Sequence, residues 1–151
     1  MANPTSSDSF VPVIDVSQHQ GDIDFNVMQA KGIHGLILRA SHGSKRDARV
    51  DNYYRQALAA GFDPAHIGFY TFINPKRGSA TDTAAATAAI IDEITGGRTE
   101  VLYMLDVEDY KNEPPDKGSS PVSGSQFATY LREHRDEFKR PDCIQRDGNR
   151  Q

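Results

Sequence analysis

Ile67-Gly-Phe-Tyr-Thr-Phe-Ile-Asn74 is apolar almost without a break. A strand with one wet face alternates apolar and polar residues, whereas a nearly continuous run suits a strand covered on both faces, as parallel strands are. Three other runs share this character: Val11 to Ser17, Gly35 to Ser41 and Val101 to Glu108. Helical spacing fills the gaps between them. Asp24 is placed to cap a helix through Val27, Met28 and Ala30 that stops at Gly32. A second helix runs from about Asp51 through Tyr54, Ala57 and Leu58 to Gly61. The third, Ser79 to Ile94, is alanine-rich and ends at Gly96-Gly97. Strand and helix alternate, so the expected fold is α/β, with right-handed crossovers and a parallel sheet or barrel.

A fourth helix follows the fourth strand. Ser123-x-x-Gln126 has the form of a capping box, and Phe127, Tyr130, Leu131, His134 and Phe138 make one apolar stripe. Before it, Lys111 to Pro121 carries three prolines and no periodicity. Such a loop lies at the carboxyl end of a parallel strand, where α/β folds place their sites. The expected organisation is a polar leader over 1–10, a catalytic domain over 11–138, and a polar tail over 139–151 that cannot supply another buried strand. Four strand–helix units make the N-terminal half of a TIM-like (β/α) barrel.

Composition narrows the function. Seventeen Lys+Arg against 21 Asp+Glu give a net charge of −4, which removes the basic field that nucleic acid needs. No apolar run approaches the ~20 residues of a bilayer span, so membrane insertion is not expected. Met1 to Phe10 lacks the basic and apolar regions of a signal peptide, which predicts cytoplasmic synthesis. Cys143 is the single cysteine, so no disulfide framework or zinc cluster is expected. His19, His34, His42, His66 and His134 lack zinc-ligand spacing and read as surface or satisfied structural residues. Walker and GxGxxG loops are absent, and no cofactor is expected.

The carboxylates carry the chemistry. In Leu105-Asp106-Val107-Glu108, alternation puts Asp106 and Glu108 on one face with Cβ atoms roughly 6–7 Å apart. Val101, Tyr103, Leu105 and Val107 then face the helices, while Val13, Leu102 and Met104 face the barrel interior. Crowded carboxylates do not all ionise easily, so at least one should titrate high, as a glycosidase general acid requires. Asp15, at the end of the first strand, is placed to aim at the same cleft. Plainer readings stay open. Asp15 is also a common strand-end turn residue, and Asp106 to Asp109 also reads as a solvated corner. A divalent metal on Asp106 and Glu108 would need further oxygen ligands. Of Tyr70 and Phe72, at least one reads as ordinary core, and Lys45, Arg46 and Arg49 as a solvated basic loop.

In order along the chain, Val13-Ile-Asp-Val-Ser17 with Gln20-Gly-Asp-Ile-Asp-Phe25, Leu36-Ile-Leu-Arg-Ala-Ser-His-Gly43, Ile67-Gly-Phe-Tyr-Thr-Phe72 and Leu105-Asp-Val-Glu108 resemble the lysozymes of glycoside hydrolase family 25. These cleave peptidoglycan between N-acetylmuramic acid and N-acetylglucosamine. The resemblance implies a muramidase acting on peptidoglycan glycan strands and bacterial cell walls. Glu108 would be its general acid/base, and Asp106 would stabilise positive charge at the sugar or orient the substrate's N-acetyl group. Asp15 would be the third acid, and Tyr70 an aromatic residue lining the site. The spacing leaves covalent and substrate-assisted routes both open.

The departures are His42, where many relatives carry an acid, and Thr71, where the family's third strand reads Tyr-His-Phe. The resemblance stops near Lys139, without the family's later strands, which implies a truncated, frameshifted or intron-interrupted frame. From this follow open sheet edges, a chain that is marginally stable or self-associating, and weak or no lytic activity. A lysozyme without an export signal fits a phage endolysin held in the host cytoplasm. The rival readings are an inactive fragment that binds cell wall or needs a second half, and a carboxylate–metal hydrolase.

Overall fold

A computed structural model describes residues 11–98, 100–107 and 124–138 of the chain. Glu108, the loop 111–121, Ser123 of the expected capping box, the leader and the tail lie outside the described residues. The strands are β1 (Val13–Val16), β2 (Gly35–His42), β3 (Lys45–Arg46), β4 (Ile67–Phe72) and β5 (Tyr103–Asp106). The helices are α1 (Phe25–Ala30), α2 (Val50–Ala59), α3 (Ala80–Thr95) and α4 (Gly124–Phe138). Strands β1, β2, β4 and β5 lie side by side in that order, all parallel. The α/β architecture expected from the apolar runs is therefore present.

Local chemistry sets the boundaries. Asp24 caps α1 through its carboxylate to Val27 N at 3.1 Å. Ser79 caps α3 by accepting from Asp82 N at 3.1 Å, and Gly96 ends that helix in the left-handed conformation at φ 70°. Strand β4 is two residues shorter than expected because Asn74 turns to accept from Lys76 N at 3.0 Å, capping the 3-10 turn Pro75–Arg77. The fourth strand begins at Tyr103, not Val101, although the Leu102 carbonyl still accepts from Phe69 N at 2.8 Å. Val107 departs from expectation: it is 49% exposed, not packed under the helices, because the ladder ends at Asp106 and no longer enforces alternation.

The basic loop is also different. Lys45–Arg46 pairs antiparallel with Ser41–His42 across a two-residue turn. Gly43 in that turn has φ 56°, and a Cβ there would come within 2.8 Å of Arg77 Cβ. Arg46 is clamped by Asp51 at 2.5 Å and Glu93 at 2.7 Å, and Arg49 meets Asp22 at 2.6 Å. Of their acidic partners, Asp51 is five residues from Arg46, but Glu93 and Asp22 come from distant segments, which a local reading of a charge cluster does not reveal.

One face of the sheet carries the helices. Val16, Leu36, Leu38, Ile67 and Phe69 are buried there against Phe25, Val50, Tyr53, Tyr54, Ile90 and Ile91. Each such side chain contributes about 1.5–3 kcal/mol relative to leaving it exposed. Ala84 and Ala88, both buried, let α3 approach closely. Helix α4 docks through Tyr130, whose hydroxyl meets Thr83 Oγ1 at 2.8 Å. His134 corrects a sequence expectation. It is neither exposed nor fully satisfied: its ring is buried, Nε2 lies 3.3 Å from the Tyr103 hydroxyl, and Nδ1 has no partner among the described residues.

Candidate active site

The opposite face of the sheet is uncovered among the described residues. Alternation from β1 places Val13 and Asp15 on it, and the parallel register carries the face across the sheet. Asp15 stands beside Ile37, and Ile37 beside Gly68. Arg39 stands beside Tyr70, and Tyr70 beside Met104. His42 stands beside Phe72, and Phe72 beside Asp106.

Two local devices shape this face. The register of β2 against β4 slips between Arg39 and Ser41, so Ala40 is an extra residue. The bulge sends Ser41 to the helix side, where its hydroxyl meets Thr71 Oγ1 at 3.0 Å and Thr87 Oγ1 at 2.8 Å. It thereby returns His42 to the open face. At Gly68 the absence of a side chain leaves room in the floor, since a Cβ there would sit 3.0 Å from the Leu102 carbonyl and 3.1 Å from Ile37 Cδ1.

The result is an open depression of about 320 Å³ lined by Val13, Asp15, Ile37, Tyr70, Met104 and Asp106. Three residues singled out in the sequence, Asp15, Tyr70 and Asp106, border this one concavity. Asp15 is exposed and Asp106 half-buried, while Tyr70 is buried with its hydroxyl against Ser17. Burial pushes the Tyr70 phenol up to about 12; Arg39 pulls it down, Asp15 and Asp106 push it up, and the Ser17 contact pulls it down. It is a neutral hydrogen-bond donor at any working pH. Met104 and Val13 lie on this helix-free face, and so does Leu102, 58% exposed.

The two departures from the family pattern have different fates. Thr71 faces the helices and is fully buried, so it does not touch the depression. His42 is on the open face, stacked edge-on to Phe72 at 4.6 Å, with Nε2 3.2 Å from Asn74 Nδ2. Two residues of this face escaped the sequence reading, Ile37 and Arg39. An arginine inside an otherwise apolar strand, two positions after the residue opposite Asp15, was the available signal. Arg39 is buried and its Nε lies 2.8 Å from Asp47 Oδ2.

A larger groove of about 490 Å³ runs between the start of α3 and α4, lined by residues including Ser79, Tyr130 and Glu133. Glu133 is the only carboxylate among its lining residues, so it lacks the acid pairing that makes the smaller depression chemically interesting.

The sequence matches the family model described as "Glycosyl hydrolases family 25" over residues 14–140. The autolytic lysozyme of Clostridium acetobutylicum is 29% identical over 119 residues, which span 78% of this chain and 34% of that protein. Among solved structures, the muramidase from Trichobolus zukalii superposes with a TM-score of 0.63 at 22% identity, covering 91% of this chain and 62% of that one. The bacterial lysozyme from Streptomyces coelicolor gives 0.59 at 24% identity, covering 89% and 58%. The chain thus spans about a third of the curated relative and about three fifths of these two structures. With the family model matching most of its length, the chain belongs to glycosyl hydrolases family 25.

Proposed function

We propose that the chain carries the acidic site of a peptidoglycan-cleaving muramidase. The observation that supports this reading most is the meeting of Asp15, Tyr70 and Asp106 around one open depression. Carboxylates at the ends of parallel strands are costly in a core and useful over a trough that receives a polar sugar. In this reading the helix-free face is the interior of a (β/α) barrel of which these strands form the first half. The exposed Val13, Leu102 and Met104 support it, because an interior face meets another wall in a closed barrel.

Glu108 follows Asp106 by two residues, so an extended chain through both would put their carboxyl groups on one side. We assign Glu108 to protonate the glycosidic oxygen as the leaving group departs. It then takes a proton from the water that completes hydrolysis. Asp106 stabilises positive charge developing at the anomeric carbon, by direct contact or by holding the substrate's N-acetyl group against it. Asp15 is the third acidic side chain, across the trough. Tyr70, held neutral by burial, offers its hydroxyl as a donor to the sugar. The substrate is the glycan strand of peptidoglycan, and the bond is the one on the reducing side of N-acetylmuramic acid.

Digested peptidoglycan, reduced with borohydride and hydrolysed, identifies the new reducing ends. Muramitol is the expected product. Glucosaminitol alone would place the cut at the other bond, and loss of activity on chelation would point to metal chemistry instead.

A further inference from the structure

The β1–α1 and β2–α2 connections meet at one buried side chain. Asp47 is 3% exposed, and three donors converge on its carboxylate. Oδ2 accepts from Gln18 N at 3.0 Å and from Arg39 Nε at 2.8 Å, and Oδ1 accepts from Arg49 N at 2.9 Å. The peptide N–H of Asp47 itself donates to the Ala40 carbonyl at 2.9 Å, which ties it to the bulge in β2. Gln18 returns a bond by accepting from Ala48 N at 3.1 Å. A buried carboxylate with a cation and two peptide N–H groups is fully engaged, and each engagement comes from a different segment.

Both routes out of Asp47 reach the candidate site. Gln18 is three residues after Asp15 and next to Ser17, whose side chain meets the Tyr70 hydroxyl. Arg39 is the cross-strand neighbour of Tyr70, and its charge acts on that phenol against those of Asp15 and Asp106. We infer that Asp47 is a positioning residue for glycan cleavage, acting through Arg39 and the Ser17-Gln18 backbone to hold Tyr70 and Asp15 in register over the sugar. Asp47 does not line the depression. This role rests on the muramidase reading, and its chemistry is that of a rigid electrostatic brace. Catalytic groups misplaced by about 1 Å lose rate on the order of a hundredfold, so a brace of this kind shows in turnover.

The test compares Asp47→Asn, Asp47→Ala, Arg39→Lys and Arg39→Met in the full chain. It reads kcat and KM on soluble peptidoglycan fragments, and the 13Cζ resonance of Tyr70 in the unliganded protein at a temperature where each variant is folded. The expected result is a tenfold or greater loss of kcat for Asp47→Asn and Arg39→Met with little change in KM. The Tyr70 resonance should shift in both, and Arg39→Lys should recover part of each effect. The inference is overturned if the folded variants lose only melting temperature while kcat and the Tyr70 resonance stay as in the unsubstituted protein. Should Asp47→Ala not fold, the Arg39 pair decides by the same criteria. Shifted Tyr70 resonances in a protein that cleaves no glycan would support the brace and reject the muramidase reading, so the two ideas fail separately.

Discussion

His134 shows how one side chain couples this fold to pH. The ring lies on α4 among Tyr103, Tyr130 and Phe138, three uncharged rings, and burial lowers its pKa to about 4. An unfolded histidine titrates near 6.5, so below that pH the unfolded chain takes up a proton that the native ring refuses. Stability is therefore unaffected by this group above about pH 6.5, falls by up to ~1.4 kcal/mol per pH unit toward pH 4, and levels off below. Thermal melts between pH 7 and pH 4 should show this slope, and His134→Phe should flatten it; equal slopes in both proteins would remove His134 from the account. Tyr103 also bonds Thr71 and Thr87, neither of which that substitution alters. The stripe that carries His134 was readable from helical spacing, but an Nδ1 with no partner among the described residues was not, because a periodicity says which way a residue points and nothing about what it meets.

At the level of elements, the strand–helix alternation came from near-continuous apolar runs and from caps such as Asp24 and Ser79, all of which are local signals. The bulge at Ala40 and the short β3 were not visible, since both depend on register against a neighbouring strand. Without the bulge, simple alternation carries Ser41 to the open face and His42 to the core, the reverse of what is found. Thr71 likewise belongs to a hydroxyl triangle with Ser41 and Thr87, held at 2.8–3.0 Å between β2, β4 and α3. Thr87→Val removes one corner and should cost about 1 kcal/mol, within the usual range for a buried hydrogen bond. Denaturant unfolding measures it, and a variant as stable as the parent would show that the triangle contributes nothing net. Glycan-cleavage rates should be unchanged, because the triangle lies on the helix side.

For the whole molecule, the uncovered face joins chemistry to an exposed apolar surface. Val13, Leu102 and Met104 are 54%, 58% and 48% exposed on the same face as Asp15 and Asp106. Surfaces of that kind bind other surfaces, and the outer edges of β1 and β5, unpaired among the described residues, add to the tendency. The chain should sediment as associated species at micromolar concentration, and Leu102→Lys should shift it toward the monomer. An unsubstituted chain that stays monomeric would show that the face is tolerated in water. That Asp15 and Asp106 border one depression was readable in outline, because both lie near the carboxyl ends of their strands, although the register sets them four positions apart along β4. Arg39 and Asp47 were not, since their pairing joins a strand to a loop eight residues away.

The account turns on the acids at those strand ends acting together on one sugar. Reducing-end release from purified peptidoglycan tests this, comparing the unsubstituted protein with Asp15→Asn, Asp106→Asn and Glu108→Gln, each matched for folding by circular dichroism. The prediction is a loss of about a hundredfold or more for Glu108→Gln, in line with removal of a general acid/base, and clear losses for both aspartates. Release at the unsubstituted rate by either aspartate variant, or by Glu108→Gln, would contradict it.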